Sequence, residues 1–257
     1  MTSPSVPLSG GGGTMPLLGF GTWQAQGTEC YDAVRVALEA GYRHIDTATM
    51  YGNEAEVGRA LRDSGVDRAE VFVTTKLPPE RAGRERRTID ASLKALGIDQ
   101  LDLWLIHWPP RGRSTEVWQE FIAARDAGLT RAIGVSNYSS RQIDALTKET
   151  GETPSVNQIK WGPALYDADE VAAHHERGVV LEGYSPFKTT NLRDKDLVAI
   201  AEAHGVTPAQ VIVRWHLQHE FVVIPKSVTP DRIRTNFDAF GFTLSDEEMR
   251  RIDGMSR

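Results

Sequence analysis

Residues 44–54 (HIDTATMYGNE) bring together two side chains that can take part in acid–base chemistry, the carboxyl of Asp46 and the phenol of Tyr51. Ile45 between polar neighbours is typical of the end of a short strand, and Gly52 after the tyrosine is typical of a loop. Taken alone, the stretch is more typical of a solvated turn, because most loop aspartates and tyrosines have no chemical role. Its interpretation therefore depends on the rest of the chain.

Other polar residues able to do chemistry follow short apolar runs elsewhere in the sequence. They are Lys76, His107, Ser136, Asn137, Gln158, Tyr184 and Lys226. An aspartate keeps a nearby lysine charged in a dry pocket, and that charge favours a phenolate, lowering a pKa that is normally near ~10. His107 can donate a hydrogen bond to a carbonyl oxygen. These residue types predict a site in which Tyr51 gives a proton to a substrate carbonyl.

Three alternatives stay open at this point. Lys76 can be an ordinary surface lysine, and His107 can be a core histidine that bonds to the backbone. A lysine at the end of a barrel strand also suits the Schiff-base chemistry of an aldolase.

The elements that must position these residues are predicted by an alternation of β-rich runs with helical segments that end near glycine. The runs cover residues 18–21, 43–46, 71–75, 101–106, 132–135, 156–159, 179–182 and 221–224. Eight such units predict an α/β fold, a (β/α)8 TIM barrel whose active site lies on the loops after the strands. We further predict an N-terminal β-hairpin over residues 6–18, an extra C-terminal helix capped by Ser245, and one domain spanning residues 1–257.

The segment 225–232 (PKSVTPDR) leads from the last strand into a helix and carries Lys226, Ser227 and Arg232. Cationic side chains, a hydroxyl and backbone N–H groups at a helix N-terminus form a good phosphate site. Ordinary helix capping by Thr229 or Asp231 is the alternative. No Rossmann motif is present, because Gly19-Phe20-Gly21 lacks its third glycine. A dinucleotide would have to bind on the barrel instead.

Composition limits the possible partners. The 257 residues contain 29 Lys and Arg against 35 Asp and Glu, a net charge of -6, which disfavours binding to nucleic acid or anionic membranes. Cys30 is the only cysteine, so no intramolecular disulfide can form, which fits a cytoplasmic protein. No export signal or membrane span is expected. The histidine pairs 174/175 and 216/219 lack a third ligand, so no metal site is expected.

Six motifs in the sequence together resemble one family. They are GFGTW at 19–23, DTATMYGNE at 46–54, LIHWP at 105–109, GVSN at 134–137, GYSP at 183–186 and IPKS at 224–227. Their types and order are similar to those of the aldo-keto reductases, NAD(P)H-dependent carbonyl reductases on a TIM barrel without a Rossmann domain. The resemblance covers nearly the whole chain.

The resemblance implies a role for each matching residue. The catalytic tetrad would be Asp46, Tyr51, Lys76 and His107, with Tyr51 as the general acid for reduction. Ser136, Asn137 and Gln158 would hold the nicotinamide carboxamide, Tyr184 would stack on the ring, Lys226, Ser227 and Arg232 would bind the 2'-phosphate of NADPH, and Asn236 would lie near the adenine. Trp23 and Trp108, at strand ends, would line an apolar substrate pocket. The expected protein is a monomer that binds NADPH/NADP+ and a small carbonyl substrate.

Some positions depart from the family pattern. Thr235 stands where a glutamate often precedes Asn236, and the loops 109–114 and 187–195 are short. With Arg257 following the last helix directly, a long C-terminal substrate loop is expected to be absent. We therefore expect an open pocket with a broad substrate range. A non-catalytic NADPH-binding or sensing module is the alternative on the same fold, since relatives of this fold include channel subunits and lens structural proteins.

Overall fold

Eight β-rich runs pair in sequence order as one parallel sheet. The strands are β3 (Phe20–Gly21), β4 (His44–Asp46), β5 (Phe72–Leu77), β6 (Leu101–Ile106), β7 (Thr130–Ser136), β8 (Val156–Lys160), β9 (Val180–Tyr184) and β10 (Val222–Val223). The computed structural model describes residues 3–256, so the ends of the predicted 1–257 domain, residues 1, 2 and 257, lie outside the described residues. That the chain forms one domain stays a prediction.

The first and last runs meet and close the sheet into a barrel. Leu18 forms a parallel bridge with Val223, the N–H of Gly19 donates to the carbonyl of Val223 at 2.9 Å, and the N–H of Val223 donates to Leu17 at 2.8 Å. The predicted TIM barrel is therefore confirmed. β10 covers two residues of the predicted run 221–224, although the N–H of Ile224 still donates to the carbonyl of Gly183 on β9 at 3.2 Å.

An antiparallel hairpin precedes the barrel, as predicted. Its strands, β1 (Ser5–Pro7) and β2 (Thr14–Pro16), pair Val6 with Met15, and a short 3-10 turn over Ser9–Gly11 lies between them. The predicted glycine-rich tip thus contains a local helical turn.

Within residues 3–256, ten α-helices connect and surround the strands. They are α1 (Gly27–Ala40), α2 (Glu54–Asp63), α3 (Glu85–Leu96), α4 (Ser114–Asp126), α5 (Ser140–Thr150), α6 (Ala168–Glu176), α7 (Lys195–His204), α8 (Pro208–Gln218), α9 (Pro230–Phe237) and α10 (Asp246–Asp253). Glycine ends α1 as predicted, since Gly41 adopts a left-handed conformation there. A Cβ at this position would lie 2.7 Å from the ring of Phe237. No helix within residues 3–256 is long and apolar enough to cross a membrane.

The extra C-terminal helix begins with the predicted capping box, in which Ser245 and Glu248 bond each other's backbone. Its end docks on α8, where the carboxylate of Asp253 accepts from Trp215 Nε1 at 2.7 Å and lies 2.9 Å from His219 Nε2. Since α8 covers the outside of the barrel, the last turn of α10 packs on the outer helical layer.

Apolar side chains fill the space between the strands and the outer helices. Trp104 of β6, for example, stacks on Phe121 of α4 with ring centroids 3.7 Å apart. The upper interior of the barrel differs, because Asp46, Lys76 and Gln158 are all buried there. Buried polar groups need partners to be stable. Their arrangement defines the candidate site.

Candidate active site

Lys76 and Asp46 form a buried ion pair at the ends of β5 and β4. The ammonium of Lys76 is 2.6 Å from Oδ1 and 2.7 Å from Oδ2 of Asp46, and it donates to the carbonyl of Thr47 at 2.8 Å. Burial alone would lower the pKa of Lys76, but Asp46 raises it above its usual value. Burial raises the pKa of Asp46, against the opposing effect of Lys76. Lys76 therefore remains a cation inside the barrel.

Gln158 holds the aspartate from a third strand. Its Nε2 donates to Oδ2 of Asp46 at 2.9 Å, so that this carboxylate accepts from both a cation and an amide. The hydroxyl of Ser136 donates to the backbone carbonyl of Gln158 at 2.8 Å. Ser136 thus lies behind Gln158 and is fully buried, whereas Gln158 reaches the cavity described below.

Tyr51 ends a 3-10 turn over Thr49–Tyr51, which Gly52 terminates in a left-handed conformation with φ of 68°. The ammonium of Lys76 lies 5.3 Å from the centroid of the Tyr51 ring. Burial raises the pKa of Tyr51 above its usual value, and Lys76 lowers it only in part. The predicted net lowering of this pKa was therefore wrong for the protein without ligands, because desolvation of the phenolate outweighs the cation. The phenol holds its proton at neutral pH.

His107 lies at the end of β6, next to Tyr51. The two ring centroids are 5.8 Å apart with an interplanar angle of 75°. Burial lowers the pKa of His107 to about 3, and the charge of Lys76 lowers it further in the same direction. The imidazole is therefore neutral at physiological pH and has one N–H to donate.

Asn137 links the histidine to the next strands. It adopts a left-handed backbone conformation with φ of 62°, which asparagine tolerates better than most residues. Its Nδ2 donates to the backbone carbonyl of His107 at 3.1 Å, and the hydroxyl of Tyr184 donates to its Oδ1 at 2.9 Å. Hydrogen bonds thus join the predicted nicotinamide residues to Asp46 and to the backbone of His107, whereas the ring of Tyr51 lies against His107 and Lys76.

A cavity of about 440 Å³ opens above this cluster. Its lining includes the predicted Asp46, Tyr51, His107, Asn137, Gln158, Tyr184, Lys226, Trp23 and Trp108. Trp23, Trp108 and Met50 are 42%, 47% and 56% exposed, and they form an apolar rim around the polar floor. The volume is in the range of small-molecule sites, and such sites combine apolar walls with a few polar groups.

The predicted phosphate segment lies partly in the cavity. Lys226 lines it, whereas Ser227, Arg232 and Asn236 lie outside its lining. Ser227 Oγ accepts from the N–H of Thr229 at 3.1 Å, and Thr229 makes no side-chain cap on α9. The N-terminus of α9 therefore presents N–H groups without a side-chain cap next to an exposed Arg232. This arrangement fits a phosphate group.

Three residues with a place in the site were missed from the sequence. The backbone carbonyl of Thr47 accepts from Lys76, and no residue type signals a carbonyl acceptor. Lys188 lies with its ammonium 4.3 Å from the centre of the Trp23 ring, in a loop whose path a sequence does not reveal. Glu182 is fully buried in the barrel, two residues before Tyr184 on β9. Because side chains alternate along a strand, Glu182 and Tyr184 lie on the same face of β9, and this spacing in the sequence could have identified Glu182.

No group of three His, Cys, Asp or Glu side chains within residues 3–256 is arranged to hold a metal ion. The assigned roles of the individual site residues stay predictions at this point.

Comparison with known proteins agrees with the fold and the motifs. The family model described as "Aldo/keto reductase family" matches residues 17–257. The 2,5-diketo-D-gluconic acid reductase B of Corynebacterium sp. (strain SHS752001) is 44% identical over 245 residues, covering 93% of this chain and 88% of that protein. An aldo/keto reductase from Brucella melitensis is 43% identical with a TM-score of 0.95, covering 99% of this chain and 100% of that chain.

A third relative was crystallised with a nucleotide. A mutant of Gox0644 in complex with NADPH is 36% identical with a TM-score of 0.94, covering 100% of this chain and 95% of that chain. With the family model matching almost the entire chain and relatives well above 30% identity, this protein belongs to the aldo/keto reductase family.

Proposed function

We propose that this protein reduces aldehydes and ketones to alcohols with NADPH, and that Tyr51 is the proton donor. The observation that carries the proposal is a protonated phenol beside a buried ammonium on the floor of an open cavity. Family membership supports an NADP-dependent oxidoreductase, since a relative of the same fold was crystallised with NADPH. The proton donor and the substrate range are our own assignments.

In this mechanism, bound NADPH supplies the hydride that adds to the carbonyl carbon. The hydroxyl of Tyr51 donates its proton to the carbonyl oxygen, leaving a phenolate that the ammonium of Lys76 stabilises. Asp46 keeps Lys76 charged and fixes its direction through the contacts at 2.6 and 2.7 Å. Neutral His107 donates a hydrogen bond to the same oxygen and orients it.

The same cavity provides residues suited to the cofactor. Gln158 and Asn137 would hold the nicotinamide carboxamide, with Ser136 supporting Gln158 from behind, and Tyr184 would stack on the ring. At the other end, Lys226, Ser227 and Arg232 would bind the 2'-phosphate, and Asn236 would lie near the adenine. The uncapped N-terminus of α9 supports a phosphate at this place.

The open apolar rim favours a broad range of small carbonyl substrates. Trp23, Trp108 and Met50 offer surface for apolar groups, and Lys188 lies close enough to Trp23 to add a positive charge. The activity of the Corynebacterium relative, named for a diketo sugar acid, supports polar carbonyl compounds in this range. We propose that the chain acts as a single domain and as a cytoplasmic monomer.

Replacing Tyr51 with phenylalanine tests the proton donor. We expect the variant to bind NADPH normally and to lose about 10²- to 10⁴-fold in turnover, the usual contribution of a general acid. Turnover is followed as NADPH oxidation with a nitrobenzaldehyde, and binding by fluorescence titration. Tyr31→Phe is the matched control, because the hydroxyl of Tyr31 bonds Asp63 on the surface and should not matter for turnover. Turnover by Tyr51→Phe at the parent rate would disprove the assignment.

Replacing Arg232 with alanine tests the phosphate site. We expect weaker binding of NADPH and unchanged binding of NADH, because only NADPH carries the 2'-phosphate. Arg234→Ala is the control, since Arg234 lies on the same helix but pairs with Asp231 at 3.7 Å. Equal losses for both cofactors would remove Arg232 from the site.

A further inference from the structure

Glu182 is a buried carboxyl group next to the proposed catalytic cluster. It lies on β9, where its Cα pairs with that of Gln158, and its side chain has no solvent exposure. Neither carboxyl oxygen has a hydrogen-bond partner of good geometry within residues 3–256, although the amide of Gln158 lies near enough to offset in part the rise in pKa that burial causes. Buried polar atoms of this kind are rare and call for an explanation. The mechanism above makes no use of this residue.

The groups around Glu182 offer no spare positive charge. β4 contributes Asp46 and His44, whose Nε2 is 3.8 Å from Oε1 of Glu182, and β5 contributes Lys76. The ammonium of Lys76 already donates to both oxygens of Asp46 and to a backbone carbonyl. Burial lowers the pKa of His44 to about 3, so that its ring is neutral. An ionised Glu182 would thus be a second buried carboxylate facing a single cation.

We propose that Glu182 is a positioning residue for carbonyl reduction, which keeps its proton in the active enzyme and so leaves the charge of Lys76 to act on Tyr51. The inference rests on the proposed role of Tyr51 and extends it to a residue that does not line the cavity. As a neutral acid, Glu182 occupies the space next to the ion pair without adding a charge.

The consequence is a loss of activity in alkaline solution. Burial, followed by the negative charge of Asp46, raises the pKa of Glu182 to about 8. The carboxyl is therefore protonated at pH 7 and ionises as the pH rises through about 8. Once ionised, Glu182 places a negative charge near the ammonium of Lys76 and offsets part of its positive potential. The phenolate that forms on Tyr51 is then less well stabilised. Turnover in the reduction falls as a result.

Replacing Glu182 with glutamine tests this inference, because the amide has nearly the same shape and cannot ionise. Turnover at saturating NADPH is measured from pH 6 to pH 10. At pH 6.5, Glu182→Gln should keep turnover within about threefold of the parent, since both side chains are neutral there. Its alkaline decline should lie at least about one pH unit higher than that of the parent. Superimposable pH profiles, or an equal loss of turnover at every pH, would overturn the proposal.

Glu54→Gln is the matched control. Glu54 is also a buried carboxyl, but it accepts from Thr75 at 2.6 Å and from Ser92 at 3.2 Å. This variant should show the alkaline decline of the parent. A shift as large as that of Glu182→Gln would refute a specific role for Glu182.

Infrared spectroscopy provides a readout that does not depend on turnover or on folding of the variant. The parent protein should show the carbonyl stretch of a buried protonated carboxyl at pH 6.5, and this band should disappear by pH 9.5. A parent protein without such a titrating band contradicts the proposal even if Glu182→Gln does not fold. The band should persist in Tyr51→Phe, so failure of the Tyr51 assignment and failure of this inference are distinguishable.

Discussion

The buried pair of Lys76 and Asp46 allows the cost of removing one partner to be worked out. Lys76→Met removes the charge and keeps most of the apolar stem. Two unit charges 2.6 Å apart attract by about 6 kcal/mol at an effective dielectric constant of about 20. Because part of this attraction offsets the desolvation of both groups, we expect the free energy of unfolding to fall by about 3–5 kcal/mol.

Urea unfolding at pH 7 measures this loss, and a double-mutant cycle isolates the pair. Asp46→Asn leaves the Lys76 ammonium buried without its counter-charge, so it should be destabilising as well. In the double variant no buried charge is left over, and its loss should be at least about 2 kcal/mol smaller than the sum of the two single losses. Losses that add to within about 0.5 kcal/mol would refute the reasoning.

The pH dependence of Lys76→Met gives a second check. Without the cation, burial raises the pKa of Asp46 in the folded protein further above the unfolded value of about 3.9. A carboxyl whose folded pKa is raised contributes stability below the unfolded pKa and loses it as the pH rises through the folded pKa. Relative to the parent, the variant should therefore be less destabilised at pH 5 than at pH 8. The double variant should not show this difference.

Three further predictions concern packing and stability. Gly58→Ala should lower the free energy of unfolding by about 1–3 kcal/mol, since its Cβ would clash with the backbone carbonyl of Leu96; urea unfolding measures this. Burial lowers the pKa of His216 to about 4 in the folded protein, against about 6.5 in the unfolded chain. The free energy of unfolding should therefore fall by about 1.4 kcal/mol per pH unit as the pH drops from about 6.5 to about 4. His216→Gln should reduce that slope. Asp253→Ala should cost about 1–3 kcal/mol in thermal unfolding, because Trp215 Nε1 loses its acceptor, and Asp253→Asn should cost less.

The fold was predictable from the sequence because β-rich runs and helical segments alternate along it. Each β-rich run is followed by a helix, and all of these helices but the last, α9, end within two residues of a glycine, as at Gly97 after α3 and Gly205 after α7, both in the left-handed conformation. Ser245 could be recognised as a cap because a glutamate follows three residues later. The exact bounds of the first and last barrel strands could not be predicted, because the pairing of Leu18 with Val223 depends on closure of the barrel.

The composition of the site was predictable where it depended on strand ends. Asp46, Lys76 and Gln158 meet because parallel strands end on one side of the barrel, whatever lies between them. The net pKa direction of Tyr51 was not accessible, because it depends on how desolvation compares with the field of Lys76. Ser136 was expected among the cavity residues, but at the end of β7 its hydroxyl donates to the backbone carbonyl of Gln158 instead.

The raised pKa of Tyr51 has a further consequence for the direction of the proposed reaction. In reduction, the proton passes from the phenol to an alkoxide, which is a far stronger base than a phenolate, so the transfer stays favourable with a raised phenol pKa and slows only when ionised Glu182 raises that pKa further. In oxidation, Tyr51 must first lose its proton, and burial makes that loss harder at neutral pH. Alcohol oxidation should therefore accelerate as the pH rises from 7 to 10, whereas aldehyde reduction should not. Parallel pH profiles for the two directions would show that a different group carries the proton.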